Sequence, residues 1–136
     1  MDEQIRRILT ETKRIALVGA SNKPARPSYG VMRFLLEHGY EVTPVNPGLA
    51  GQEILGRLVV GTLEEAGPLD MVDLFRNSAE VEAPVAEAIR LGAKSIWMQL
   101  GVVNEAAAEA ARAAGLAVVM DRCPAIDIPR LGVKPV

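Results

Sequence analysis

The chain predicts an α/β fold: a single doubly wound, Rossmann-like parallel sheet of about five main strands with helices on both faces. Three observations carry this. Short apolar runs of strand length alternate with segments of helical periodicity along nearly the whole chain. The first run, residues 15–18, is apolar at every position, as in a strand covered on both faces. Each run also stops abruptly at small or polar residues.

The elements follow in order. Residues 2–12 read as an amphipathic helix with Ile5, Ile8 and Leu9 on one stripe. After the strand at 15–18, residues 28–38 are helical. Val31, Phe34 and Leu35 recur there at helical spacing, and Gly39 is a natural stop. A second strand at 41–45 ends at Asn46-Pro47-Gly48, a strong loop signal. Residues 48–61 are rich in Gly and weak in periodicity, a loop with room for a minor strand at 58–60. Thr62, with Glu65 three residues on, caps a short helix.

Residues 71–75 form a third strand, followed by Arg76-Asn77-Ser78. Residues 79–91 are helical, with Pro84 in the first turn, where its missing N–H costs little. A fourth strand at 94–98 ends at Gln99-Leu100-Gly101. Asn104 is the N-cap of an Ala-rich helix at 104–114 that Gly115 ends, and a fifth strand spans 116–120. The tail, 121–136, holds three prolines and is expected to be mostly irregular, packed against the body. No repeat, low-complexity segment or long linker divides the chain, so residues 1–136 are expected to form one domain.

At 136 residues the chain is long enough to bury a core without disulfides or a structural metal. It is 49% hydrophobic and 24% charged, with a formal net charge of −2. That balance argues against a general nucleic-acid binder but leaves room for a local cationic pocket. Cys123 is the only cysteine, so no intramolecular disulfide forms and an oxidising compartment is not implied. The charged N-terminus has no apolar segment of signal-peptide type, and no uncharged apolar run approaches the ~20 residues of a membrane span. A cytoplasmic location without a membrane partner is expected. Nothing names a protein partner, and a homo-oligomer stays open.

In an open parallel sheet, ligands bind at the carboxyl ends of the strands, near the point where strand order reverses. The first strand end is the most informative. The run at 15–18 stops at Gly19-Ala20-Ser21, a loop with Lys23 and Arg26 follows, and Pro27-Ser28 opens a helix. A strand turning through glycine into a helix N-terminus gathers unpaired N–H groups and the positive end of a helix dipole, an arrangement that binds phosphate. The loop is not a dinucleotide fingerprint, since the next glycine after Gly19 is Gly30. Asn46-Pro47 stands where an NAD enzyme carries the acid that holds a ribose diol, and no P-loop pattern occurs.

Five strand-end motifs, Val-Gly-Ala-Ser-Asn (18–22), Val-Asn-Pro (45–47), Asp-Leu-Phe-Arg (73–76), Trp-Met-Gln-Leu-Gly (97–101) and Met-Asp-Arg-Cys-Pro (120–124), carry a resemblance. In this order and spacing the chain resembles the small stand-alone CoA-binding proteins, which are similar to the N-terminal CoA-binding domain of the succinyl-CoA synthetase α subunit. The resemblance covers roughly residues 10–130. It implies that coenzyme A, free or acylated, lies across the carboxyl edge of the sheet. By that likeness Gly19, Ala20, Ser21 and Asn22 contact its phosphates, and Lys23 and Arg26 supply charge. Asn46 and Pro47 line the nucleotide side, and Phe75 and Arg76 suit an adenine–ribose end. Met98, Gln99 and Leu100 lie near the pantetheine arm, with Ser28 and Tyr29 as donors at the helix start.

The departures matter as well. The synthetase subunit continues into a domain with a phosphorylated histidine, and the only histidine here, His38, reads as a solvated or C-cap residue. The first loop is also several residues longer than in the synthetase domain. Cys123 has two readings: a thiol made reactive by the neighbouring Arg122, able to form a mixed disulfide with the ligand or transfer an acyl group, or, more commonly, a buried small hydrophobe. Glu64-Glu65 and Glu80 with Glu82 fit solvated helix faces. The expectation is a protein that binds coenzyme A without catalysis of its own. The alternatives are a CoA-dependent enzyme or enzyme subunit, and an NAD(P)-binding Rossmann protein.

Overall fold

The computed structural model describes residues 1–136. Five parallel strands form the central sheet: β1 (Arg14–Val18), β2 (Glu41–Val45), β5 (Met71–Leu74), β6 (Ser95–Met98) and β7 (Ala117–Val119), in the order β2-β1-β5-β6-β7. The chain runs outward from β1 to β2 and then returns across β1 to β5. Strand order therefore reverses between β1 and β5, which puts the switch point at the ends of these two strands. Val18 pairs with Leu74 there, so Gly19 and Phe75 are the first residues past the sheet.

Alternation along the strands divides the core in two. Ile15, Leu17, Met71 and Trp97 face helices α1 (Asp2–Glu11), α2 (Pro27–Glu37) and α5 (Pro124–Leu131). Ala16, Val72, Leu74, Ile96 and Met98 face α3 (Glu82–Arg90) and α4 (Glu105–Ala113). All four residues of β5 and of β6 are buried, as expected for central parallel strands. On α1 the stripe of Ile5, Ile8 and Leu9 is buried, each side chain contributing roughly 1.5–3 kcal/mol on leaving water. The Ala-rich face of α4, with Ala107, Ala108 and Ala111, lets that helix lie close to its neighbours.

Three expectations are corrected. The tail is not mostly irregular. Pro124 occupies the first position of α5, where a proline is already set for a helix, and Gly132 closes the helix in a left-handed conformation. The helix expected over 79–91 is a 3-10 turn (Ser78–Glu80) followed by α3, with Pro84 in its first turn. The loop at 48–61 folds back as a hairpin of β3 (Glu53–Ile54) and β4 (Arg57–Leu58). Its two-residue turn, Leu55-Gly56, has positive φ at both positions. Of the expected minor strand, only Leu58 belongs to β4, while Val60 bridges in parallel to Val45. The Thr62 hydroxyl accepts from the Glu65 N–H at 3.3 Å and donates to Glu65 Oε1 at 3.0 Å, but the element there is a 3-10 turn (Glu64–Ala66) with Leu63 as its N-cap.

His38 is the C-cap of α2. Its Nε2 lies 3.0 Å from the Val133 carbonyl, and its ring stacks between Phe34 and Tyr40.

Candidate functional site

At the switch point, Gly19 has φ +88°, and a Cβ there would sit 2.2 Å from the Phe75 carbonyl oxygen. Only glycine lets the β1 turn pass this close to the end of β5. The Gly19 and Ala20 N–H groups donate to the Val45 carbonyl at 3.0 and 3.4 Å. Asn46 locks the adjoining loop: its Nδ2 donates to the Ala20 carbonyl at 2.8 Å and its Oδ1 accepts from the Gly48 N–H at 2.8 Å. The glycine turn is thus internally satisfied, and its first two N–H groups are not free for a ligand.

The unsatisfied donors lie a few residues further on. Neither the Ser21 nor the Asn22 N–H has a protein partner, and the Ser21 hydroxyl accepts from the Lys23 N–H at 3.1 Å. Arg26 is the N-cap of α2 and offers no side-chain cap, and Pro27 has no N–H. The Ser28 N–H at the second helical position is consequently unpaired. Ser28 is 4% exposed, and its hydroxyl, open to the crevice, has no partner in the protein.

These groups line a cavity of about 740 Å³. Of the residues singled out in the sequence, Gly19, Ala20, Ser21, Asn22, Lys23, Arg26, Ser28, Asn46, Phe75, Arg76, Gln99 and Leu100 lie together in its wall. Three expected residues do not. Met98 is the last residue of β6 and is fully buried on the α3/α4 face, because the residue that turns toward the crevice is Gln99. Tyr29 packs against the α1/α2/α5 core with Arg33 over its ring. Pro47 lines a second cavity of about 640 Å³, which shares Gly19, Asn46 and Arg76 with the first and extends past Thr62, Leu63 and Pro84. The two cavities adjoin at the switch point, where Gly19, Asn46 and Arg76 border both.

The cations differ in their engagement. Arg76 pairs with Glu80 at 2.5 Å, and Asn77 holds the other Glu80 oxygen at 2.9 Å. The Arg76 guanidinium keeps the Glu80 carboxyl below the usual carboxylate range. Lys23 and Arg26 have no carboxylate partner, so theirs are the uncompensated charges of the crevice. At the opposite end stand Gln99, Leu100, Val102 and Cys123. The Arg122 guanidinium is held by Asp127 through two bonds of 2.8 Å, so the cation next to Cys123 in sequence is already engaged.

Several contributors escape a reading by motif. The Ser78 hydroxyl accepts from the Val103 N–H at 3.0 Å, and Asp121 Oδ1 accepts from the Gly101 N–H at 2.7 Å. Together they hold the loop after β6 against the loops after β5 and β7. Asp121 does so from a positive φ of 58°, a conformation that Asp tolerates better than most side chains. Asp73, fully buried in β5, hydrogen-bonds Gln99 beneath the crevice floor.

Residues 13–129 match the family model described as CoA binding domain. A curated relative, the uncharacterized protein YneT of Bacillus subtilis (strain 168), is 40% identical over 121 residues, covering 88% of each chain. A solved structure of a protein from Pyrococcus horikoshii OT3 is 44% identical, with a TM-score of 0.91 over 96% of this chain and 92% of that one. A dinucleotide-forming acetyl-coenzyme A synthetase of Ca. Korarchaeum cryptofilum shares the fold. It is 23% identical, with a TM-score of 0.70 over 88% of this chain and 27% of that one.

Proposed function

The chain belongs to the CoA-binding domain family, and we propose that it binds coenzyme A or an acyl-CoA in the groove at the carboxyl edge of the sheet, holding it without reacting with it. The observation that carries this reading is the start of α2. There an unpartnered Ser28 hydroxyl that opens to the groove and the free N–H groups of Ser21, Asn22 and Ser28 lie beside the unpaired Lys23 and Arg26. Donors and charge of this kind suit phosphate.

The rest of the groove suits the rest of the ligand. Coenzyme A is long, with a base and ribose at one end of its phosphates and an amide-containing arm ending in a thiol at the other. The lobe past Arg76, walled by Pro47, Leu63 and Pro84, offers flat apolar surface to a base. The wall of Gln99, Leu100, Val102 and Cys123 offers an apolar channel with one amide to the arm. His38 is engaged with Val133 at the far end of α2, which leaves the groove without an imidazole base. A non-catalytic holding role is the simpler consequence.

The test is thermal denaturation and titration calorimetry with coenzyme A and, separately, NAD. A ligand that binds only the folded chain must raise its melting temperature. Coenzyme A is expected to raise it and NAD is not. The converse result, or no response to millimolar coenzyme A, would refute the reading. Turnover of an acyl-CoA that disappears in Cys123→Ser would replace the holding role with acyl transfer.

A further inference from the structure

The second cavity has a charge balance unlike that of the first. Arg76 is the only cation on its wall, since Lys23 and Arg26 border the first cavity alone. It stands where the two cavities adjoin, and it is not free. Its Nη2 donates to Glu80 Oε2 at 2.5 Å, and Asn77 Nδ2 donates to Glu80 Oε1 at 2.9 Å. Glu80 ends the 3-10 turn at Ser78–Glu80, and both its oxygens are engaged, so the carboxylate is held beside the guanidinium. The one carboxylate on the wall of the second cavity, Glu87, is paired with Arg90 at 2.6 Å.

Coenzyme A carries two kinds of phosphate: a diphosphate that joins the arm to the ribose, and a monoester on the ribose itself. With the diphosphate at the open donors before α2 and the base in the second cavity, the ribose spans the junction that Arg76 borders. The monoester carries roughly two negative charges at neutral pH. Beside the diphosphate stand two uncompensated cations, Lys23 and Arg26. Beside the ribose stands a pair whose charges sum to zero. Attraction of the monoester to Arg76 is therefore offset by repulsion from Glu80.

We propose that Glu80 sets the ligand class of the groove: by holding Arg76 in a neutral pair it removes most of the preference for the ribose phosphate, so that dephospho-coenzyme A, which has a hydroxyl in its place, is accepted as well as coenzyme A. This rests on the coenzyme A reading above. Selection then falls to the diphosphate and the arm, and Glu80 acts through Arg76 as a positioning residue. Both side chains of the pair are partly exposed, and exposed pairs of this kind contribute little to stability, so replacing either leaves the fold in place.

Calorimetry with coenzyme A and dephospho-coenzyme A at low salt tests this. The wild-type chain is expected to bind the two within about fivefold of each other. Glu80→Gln keeps the side-chain shape and an acceptor for Asn77 while removing the charge. It is expected to shift the ratio of the two affinities about threefold or more toward coenzyme A, with dephospho-coenzyme A changed by less than about twofold. Arg76→Ala leaves Glu80 without its cation and is expected to shift the ratio the other way, by about threefold. Both shifts should shrink as salt is raised, because the groups are exposed. A wild-type preference for coenzyme A beyond about fivefold overturns the proposal, as does a Glu80→Gln ratio moved by less than about threefold. A Glu80→Gln effect equal on both ligands is a packing effect and overturns it too. A wild-type chain that binds neither ligand overturns the functional reading instead.

Discussion

Asp127 offers the most quantitative prediction. Its carboxylate is buried in the first turn of α5 and accepts from Arg122 Nε and Nη2, both at 2.8 Å, and from Arg130 Nε at 3.0 Å. Arg130 also reaches Asp2 at 3.1 Å, so the network ties α1, α5 and the end of β7 together. In Asp127→Asn the shape stays while the charge goes. Three charge-assisted bonds at about 1.5–3 kcal/mol each set an upper bound that will not be reached. The side chains of Arg122 and Arg130 are 35% and 37% exposed, so the released guanidinium groups return to water, and the amide oxygen still accepts. A loss of about 2–3 kcal/mol follows. For a chain of this size unfolding entropy is about 0.3 kcal/mol per degree, so the melting temperature should fall by roughly 7–10 °C near pH 7. The pH dependence has a definite sign. Burial raises the Asp127 pKa, but the bonds from Arg122 and then Arg130 outweigh it and hold the carboxyl below its ordinary value of 3.8. The stabilisation is therefore complete above that value and is lost as pH falls through the lower folded value. Differential scanning calorimetry should find the wild-type advantage flat from neutral pH to about pH 5 and shrinking in stronger acid. A gap under about 3 °C at pH 7, or one that does not narrow in acid, would refute this account of the network.

Arg26→Ala should weaken coenzyme A by about 1–2 kcal/mol, since the cation is unpaired but exposed. Arg76→Ala should cost less, because Glu80 already neutralises it, and calorimetric losses in the opposite order would contradict the assignment. Gly19→Ala should destabilise by about 3 kcal/mol or more, from left-handed strain and collision with the Phe75 carbonyl, and an unchanged urea midpoint would rule that out. The Tyr40 hydroxyl is buried and donates to the Leu9 carbonyl at 2.6 Å, and burial pushes its pKa up to about 12. Tyr40→Phe should lower stability by about 0.5–1.5 kcal/mol. Because the folded chain keeps the Tyr40 proton longer than the unfolded one, stability should decline as pH rises from about 10 toward 12, and Tyr40→Phe should remove that slope in alkaline denaturation.

Much of the fold and of the site could be read from residue order alone. Apolar runs with small or polar ends locate the five strands and bring twelve of the fifteen expected site residues to the wall of one cavity. The residues that lie outside that wall do so for specific reasons. Met98 and Gln99 are neighbours on the same motif, and which of them turns to the crevice depends on side-chain parity at the last residue of β6. Tyr29 and Ser28 are separated by one helical step, about 100° of rotation, which sends one ring into the core and leaves one hydroxyl in the groove. Pro124 and Pro129 look like breaks, yet the first is a helix start and the second is carried within α5. Asp73 hides in an apolar run; the register pairs it with Trp97, and Gln99, two residues on and on the same face, is brought to it only by the folded sheet.

The missing second glycine of the first loop acquires a physical reason in the structure. In a dinucleotide turn the pyrophosphate approaches the backbone at the glycines, and a second glycine clears the way. Here the Gly19 and Ala20 N–H groups are bound to Val45, and Asn46 seals the Ala20 carbonyl, so a phosphate gains nothing by approaching that backbone. The open donors at Ser21, Asn22 and Ser28 lie further along, toward α2. Side chains can close over a ligand at that distance, and Lys23 and Arg26 stand in the longer loop where that closure is possible. The charge of this groove thus comes from Lys23 and Arg26 beside the open N–H groups further along the loop, and glycine is required only where β1 crosses Phe75. A loop built this way tolerates bulk where a dinucleotide fingerprint cannot, and its affinity should weaken with added salt because the cations are exposed.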